Sequence, residues 1–485
     1  MRRIFICKHG TKLTRRALRL LLLSLLISAS DTFLSEKSSI AQQATGQTSP
    51  AATPIPTAGG QGTLWLSQFA NPALVGALYL TPEWPLTGYY PLYPGGFTQI
   101  IPDDGILVGP VRLHPFLGVA EMYTDNVFRT NTNKKSDFLT ALGPGIQARL
   151  PFAGRHDFLV DYRTNIQYYQ RTPSNDVQDQ TASGRFRFDF PGGLKLDLQG
   201  EHKLGHDPRG SAVDTQAFEV NKWTTNGFNG QAEYAGAQAR LRLNAQTTRW
   251  NFENNSQDVT RDRLSNYVGM TFFADVTGKT SLLANVGVNQ EIYDQNKNLD
   301  SNIYQISGGA TWNVSGVTSA EILVGYQYLK FTHAPVNQPP PLLSQFRRDR
   351  DSFSSLFVMG NLNWKATPLL TISLQPYRTI QQTATAGSLF FVATGANLGA
   401  SHALTRSTTL TLNLGVEEDR FTSPSGTTGG ADRKDVLKNI AFGVNYRAVK
   451  WVGVGLQYVF EDRSSTQDLF DYHANTVMLS VQALF

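Results

Sequence analysis

From about Leu113 to the carboxy-terminus, apolar residues recur at every second position, segment after segment. Phe158, Val160, Tyr162, Thr164 and Ile166 share one parity, as do Phe186, Phe188 and Phe190. The same holds for Leu194, Leu196 and Leu198, for Leu410, Leu412, Leu414 and Val416, and for Val452, Val454, Leu456 and Tyr458. Polar or small residues stand between them: Asp161, Arg163 and Asn165, then Arg185, Arg187 and Asp189, then Lys195, Asp197 and Gln199. Side chains of a strand alternate between two faces, so each segment has one apolar and one wet face. No helical stripe and no apolar run of 18 residues interrupts this region. A helical bundle and a spanning helix are both excluded.

The connections separate a soluble sandwich from a membrane barrel. Short turns fall near residues 153–155, 191–193, 235–237, 277–279, 315–317, 365–368, 404–406 and 448–450. Longer polar loops fall near 125–137, 171–179, 204–221, 252–262, 294–301, 333–350, 382–388, 422–434 and 463–470. Turns and loops alternate strictly, which suits short inner turns and long outer loops joining an even number of antiparallel strands. The fold expected is all-β, a transmembrane antiparallel β-barrel of about 18 strands over residues 111–485, because only a closed barrel pairs all its backbone in lipid. A count of 16 is the alternative, since the segments near Tyr267, Phe357 and Phe390 alternate weakly. Trp223 and Trp250 at loop-side strand ends, and Trp312, Trp364 and Trp451 at turn-side ends, read as interfacial girdles.

Both ends of the chain fit that destination. Arg2, Arg3, Lys8, Lys12, Arg15, Arg16 and Arg19 lead into the apolar run Leu20 to Ile27, and Ser39-Ile40-Ala41 offers a small-x-small cleavage site. Residues 1–41 are expected to be a cleaved signal peptide that carries away the only cysteine, Cys7. The formal charge of +5 belongs to this leader. Without the eight Lys and Arg and two Asp and Glu of residues 1–41, the 43 cations and 38 anions become 35 and 36. A nucleic-acid partner is therefore not expected. Residues 42–62 have the Ala, Thr, Pro, Gln and Gly composition of a linker, and the Pro-, Gly- and aromatic-rich residues 63–110 an extension, a plug or extra edge structure. At the other end, Val477, Leu479, Val481, Ala483 and Phe485 line one face of a final strand. Its terminal Phe485 resembles the insertion signal read by the barrel-assembly machinery, with Ala483 where a second aromatic is favoured.

The segment from Leu117 to Phe128, followed by Lys135-Ser136-Asp137-Phe138, Pro144-Gly145, Arg155-His156-Asp157-Phe158 and Asp161-Tyr162, resembles the bacterial family of putative β-barrel porins type 2. The resemblance is strongest over about residues 113–205. It implies a protein of the bacterial, Gram-negative outer membrane, associated with exopolysaccharide production, and brings no functional residues with it.

Material for chemistry is scarce. No catalytic residues, metal ligands or cofactor site stand out, and an enzyme is not expected. His202, His206 and Asp207 read as solvated residues where a strand becomes a loop, and Gly278-Lys279-Thr280 as a tight turn, since Phe273 stands where a phosphate loop needs its first glycine. The acids Asp125, Asp137, Asp258 and Asp300 are ordinary loop residues or weak candidates for Ca²⁺. What remains is the lumen. Alternation places Arg149, Arg163, Arg185, Arg187, Lys195, Lys203, Arg240 and Arg242 inside, among Asp161, Asp189, Asp197, Glu201 and Glu233. Glu291, Glu321, Glu417, Asp419 and Glu461 face them from the other wall, with Arg447. Two functions are open: a water-filled channel for polar solutes or a surface polysaccharide, or a plugged, non-conducting docking barrel.

Overall fold

The computed structural model describes residues 105–214, 217–314, 317–333, 350–383, 388–422 and 433–485. The expected signal peptide, the linker and residues 63–104 lie outside them. In chain order come β1 (Ile106–Val108), β2 (Val111–Thr124), β3 (Asp137–Phe152), β4 (His156–Tyr169), β5 (Val177–Asp189) and β6 (Leu194–His206). There follow β7 (Lys222–Ala235), β8 (Ala239–Phe252), β9 (Arg263–Thr277), β10 (Thr280–Tyr293), β11 (Ser301–Val314), β12 (Thr318–Phe331) and β13 (Ser352–Thr367). The last are β14 (Leu370–Gln381), β15 (Phe390–Ala403), β16 (Thr408–Thr422), β17 (Lys434–Val449), β18 (Val452–Ser465) and β19 (Tyr472–Leu484).

Strands β2 to β19 each pair antiparallel with their neighbours in sequence, and β19 returns to β2 with Thr476 against Thr124 and Ala483 against Leu117. The ring is closed and has 18 strands. Closure removes the two edges that an open sheet would leave unpaired in hydrocarbon, where each unpaired backbone group costs several kcal/mol. β1 lies outside the ring. It pairs with the start of β2, Val108 against Val111, beyond the point where β19 ends.

Alternation dictates the two faces. Outward positions include Val160, Tyr162, Phe186, Leu412, Leu414, Val416, Leu456 and Tyr458, all exposed. Inward positions on β9, β13 and β15 carry Tyr267, Phe273, Phe357, Met359 and Phe391, all buried. These strands are apolar on both faces, which is why their alternation is weak. The tight turns rest on special backbone: Gly193, with φ +89°, passes so close to Ala235 that a Cβ would lie 2.4 Å from its carbonyl oxygen. No helix among the described residues is long and apolar enough to cross a membrane.

Trp312, Trp364 and Trp451 are exposed at turn-side strand ends, as an interfacial girdle requires. Trp223 and Trp250 are not part of one. Both point inward and are buried, their rings 5.2 Å apart, packed with Val213 and Phe252. On the loop side the outward aromatics are instead Tyr123, Phe138, Tyr168, Tyr304, Tyr326 and Tyr328.

Candidate functional site

The inner wall of β3 to β8 is an ion-pair lattice whose pairs run along or between adjacent strands. Arg149 donates to Asp157 through Nε at 2.9 Å and Nη2 at 2.8 Å, and Arg163 to Asp161 through Nη2 at 2.9 Å. Arg185 donates to Asp197 through Nε at 2.6 Å, and Arg187 meets the same carboxylate at 3.4 Å. Lys203 pairs with Glu201 at 2.9 Å and Arg242 with Glu233 at 2.6 Å, while Lys195 stands exposed. Arg240 and Arg242 lie over the ring of Phe273, at 4.5 and 4.9 Å. The inward acids Asp157 and Asp179 were legible by the same parity and add to the carboxylates expected here. Counted with them and with Asp137, the buried first residue of β3, the positive excess of this wall falls from three to zero. Exposure restores the bias: the side chains of Arg149, Arg163 and Arg187 are 50, 30 and 41% exposed, whereas Asp157, Asp161 and Asp197 are 22, 7 and 16% exposed. In these pairs the guanidinium faces the water with the carboxylate behind it, whereas farther round the wall the order reverses, Lys203 and Arg242 being 17 and 4% exposed against 29 and 16% for Glu201 and Glu233.

The opposite wall is sealed. Glu291, Glu321, Glu417, Asp419 and Glu461 all face inward and all are buried. Glu291 accepts from Arg263 at 3.1 Å and from Ser265 at 2.5 Å, Glu417 from the Tyr377 hydroxyl at 2.5 Å, and Glu461 from Arg129 at 2.6 Å. Asp419 accepts no hydrogen bond. A buried carboxylate meets neither solute nor solvent directly, so the water-facing charge of the lumen comes from the basic wall.

The cover belongs to the connection between β6 and β7, whose residues 207–214 fold into the barrel instead of standing above it. Its base is tied by Arg261 to Asp207 at 2.5 Å and by Asn221 to Asp207 at 3.0 Å. Arg209 donates to Asn175 at 3.0 Å and to the carbonyl of Ala217 at 2.5 Å. At the tip, Gly210 adopts φ +76°, and its carbonyl accepts from Arg463 Nη1 and from the Tyr472 hydroxyl, both at 3.2 Å. Ala212 packs on Tyr377, Phe391, Ala393 and Phe421, so the loop reaches across to β14 to β16. His206 and Asp207 are therefore not solvated: both are buried, and His206 Nδ1 lies 2.9 Å from Asp179. His202 faces outward and bonds to Asn226. Phe421, which in sequence reads as an exposed aromatic beside the loop at 422–434, is buried instead, against Phe391 at 5.0 Å.

The loop acids are occupied by the backbone. Asp125 accepts from the Asn475 amide at 2.8 Å, Asp137 from the amides of Arg171 and Thr172, and Asp300 from that of Tyr293 at 2.6 Å. Asp258 stands in the first turn of α1 (Gln257–Arg261). Among the described residues no three His, Cys, Asp or Glu side chains converge as metal ligands. Lys279 caps the β9–β10 turn, its amide donating to Thr277 at 3.1 Å.

Comparison with known proteins matches residues 102–485 to the family described as putative beta-barrel porin 2. No curated protein matches the chain. Among solved structures, OpdL of Pseudomonas aeruginosa aligns at 10% identity over 77% of this chain and 98% of its own, with a TM-score of 0.41. The outer membrane protein OpdK of the same organism aligns at 10% identity over 77% and 99%, with a TM-score of 0.42. A bacterial polysaccharide outer membrane secretin aligns at 10% identity over 76% and 98%, with a TM-score of 0.33.

Proposed function

Because the chain belongs to the putative beta-barrel porin 2 family, porin-like barrels of the outer membrane, we propose that it is a water-filled channel for polar solutes that favours anionic ones. Acidic saccharides, as units or as an exported surface polysaccharide, are the passengers this chemistry suits. The observation that carries the reading is the exposure difference along β3 to β5, where arginines face the lumen and their carboxylate partners lie behind. Arginine offers a planar fork that holds a carboxylate through two hydrogen bonds. The Nε and Nη2 of Arg149, Arg163 and Arg185 are taken by aspartates, so the attraction for a carboxylated sugar comes from the row of exposed guanidinium charges along one wall, whose field a water-filled passage with low-dielectric walls strengthens.

The test is ion selectivity. Arg185→Glu together with Arg187→Glu should move the reversal potential in a salt gradient toward cation preference and weaken block by an acidic oligosaccharide. An unchanged reversal potential in folded, conducting protein would remove the basic wall from the mechanism. The docking-barrel reading is favoured by the inward fold of residues 207–214. Single-channel recording decides it: a refolded barrel without unitary conductance would be a docking barrel.

A further inference from the structure

The ladder between β13 and β14 is broken, and the break has a local cause. Pairing runs from Thr367 against Leu370 to Leu362 against Leu374, lapses opposite Pro376, and resumes only at Met359 against Tyr377 and Val358 against Arg378. Proline has no N–H to give a neighbouring strand, and it lies so close to Gly360 that a Cβ there would meet its Cγ at 2.9 Å. Beyond Val358 and Arg378 the two strands separate, although β13 continues to Ser352 and β14 to Gln381. β14 remains paired with β15 throughout, up to Gln381 against Phe391.

The loop-side ends of β14 and β15 have moved inside the barrel. Ile380, Phe390 and Val392 have the parity that faces outward lower on these strands, yet they are buried against Tyr293, Ile303, Leu329 and Phe331, which face the lumen. Phe390 meets Phe353 of β13 with ring centroids 4.7 Å apart. The other face of this tip meets Ala212 of the inward loop.

The separated rung is satisfied on both lips by side chains. Continuing the register would set Leu356 opposite Ile380. Instead the Ile380 amide donates to Gln327 Oε1 at 3.0 Å, and the Leu356 carbonyl accepts from Ser355 Oγ at 3.1 Å. Thr379 Oγ1 also donates to Gln327 at 3.2 Å. Gln327 is itself anchored through Gln305 and Asn285 to Thr271, a chain of side-chain hydrogen bonds across four strands. The strand edge thus has substitutes for its missing partner, and the missing partner has kept its register.

From this arrangement we propose that the β14–β15 tip is a gate with two seats. In the seat seen here it fills the mouth beside residues 207–214. In the other it bends outward at Pro376, carrying with it the end of β16 that stays paired to β15 up to Phe390 against Thr422, and zips onto β13, with Leu356 against Ile380 replacing the side-chain substitutes and the mouth cleared. The Ile380 amide and the Leu356 carbonyl find a partner in both seats, which exchange apolar contacts inside the lumen for ladder hydrogen bonds, the near balance that a two-position element needs. The effect on flux rests on the channel reading above; the motion itself does not.

Two cysteine pairs in a Cys7→Ser background of the full chain, reconstituted in lipid, separate these claims. Leu356→Cys with Ile380→Cys reports the zipped seat, and Phe353→Cys with Phe390→Cys, joined directly or by a short bis-thiosulfonate, reports the tucked one. Both pairs should link, and unitary conductance should be at least two-fold higher in the first than in the second, reverting on reduction. Failure of the 356–380 pair to link while 353–390 links completely would overturn the gate. Linkage of both with equal conductance would likewise overturn it as a gate, whereas linkage of both without any conductance would leave the motion established and remove the channel reading. Gln327→Ala, which removes a substitute partner, should speed 356–380 linkage several-fold; slower linkage would count against the two-seat scheme.

Discussion

Arg463 and Gly210 lie 253 positions apart in the chain, and a hydrogen bond of 3.2 Å joins the guanidinium of one to the carbonyl of the other on the inner side of β18 and β19. Arg463 also donates to Ser211 and, through Nε at 2.9 Å, to Asp435, which Arg433 holds from the other side. One side chain on β18 therefore anchors a loop that leaves from β6.

Arg463→Ala should free that loop. Because Asp435 keeps Arg433, the loss is of charged hydrogen bonds and not of a wholly orphaned charge, about 2–3 kcal/mol by urea unfolding in detergent. Unitary conductance should rise. A variant with unchanged conductance would show that the loop stays seated without this anchor.

Gly210→Ala should reach a similar end by another route. The φ of +76° is strained for alanine, and its Cβ would sit 2.5 Å from the Tyr472 hydroxyl. A cost of about 1–3 kcal/mol is expected. Adding Tyr472→Phe should recover none of it, because ring carbon Cζ stays 2.7 Å from the new Cβ and the hydroxyl's hydrogen bond to the Gly210 carbonyl is lost; a double variant as stable as wild type would locate the cost in the hydroxyl alone.

Removing Phe485 should impair assembly and closure. Its amide donates to the Pro115 carbonyl at 3.0 Å and its ring stacks on Trp451 at 5.3 Å, at the seam where the last strand meets the first. The fitting control is Phe218→Ala, since Phe218 is 77% exposed whereas Phe421, which looks exposed in sequence, is buried. The truncated chain should show less of the heat-dependent gel shift of a closed barrel in membranes, and equal amounts of closed barrel in the two variants would reject the idea.

Asp294, in the loop after β10, accepts from Arg249 Nη1 at 2.8 Å, and that hydrogen bond holds its carboxyl below the ordinary carboxylate range. A depressed folded value stabilises above the unfolded value, about 3.9, and the gain vanishes as pH falls through the folded value. Both side chains are more than a third exposed, so the gain is under about 1 kcal/mol and falls with salt. The stability difference between wild type and Asp294→Asn should be flat from pH 5 to 8 and close below pH 4. A difference that persists at pH 2 would assign it to packing.

The inward positions of Arg185, Arg187, Glu417 and Glu461, the strand number and the outward stripe ending at Phe485 were all legible in the sequence. A strand's side chains alternate regardless of what it pairs with, and turn chemistry marks each reversal, so parity and count are local properties of the chain. Which inward groups meet water is not local. Glu417 and Arg187 have the same parity, yet one is buried and the other open, because residues 207–214 reach across the lumen and pack against the β14–β15 tip. The same contacts turn Trp223 and Trp250 from expected girdle residues into the seat of Val213, and His206 and Asp207 from solvated loop residues into buried ones. Pro376 withholds a ladder donor from its strand. The direction of the bend there was decided by apolar partners on β10 to β13, a contact between segments that only the closed barrel brings together.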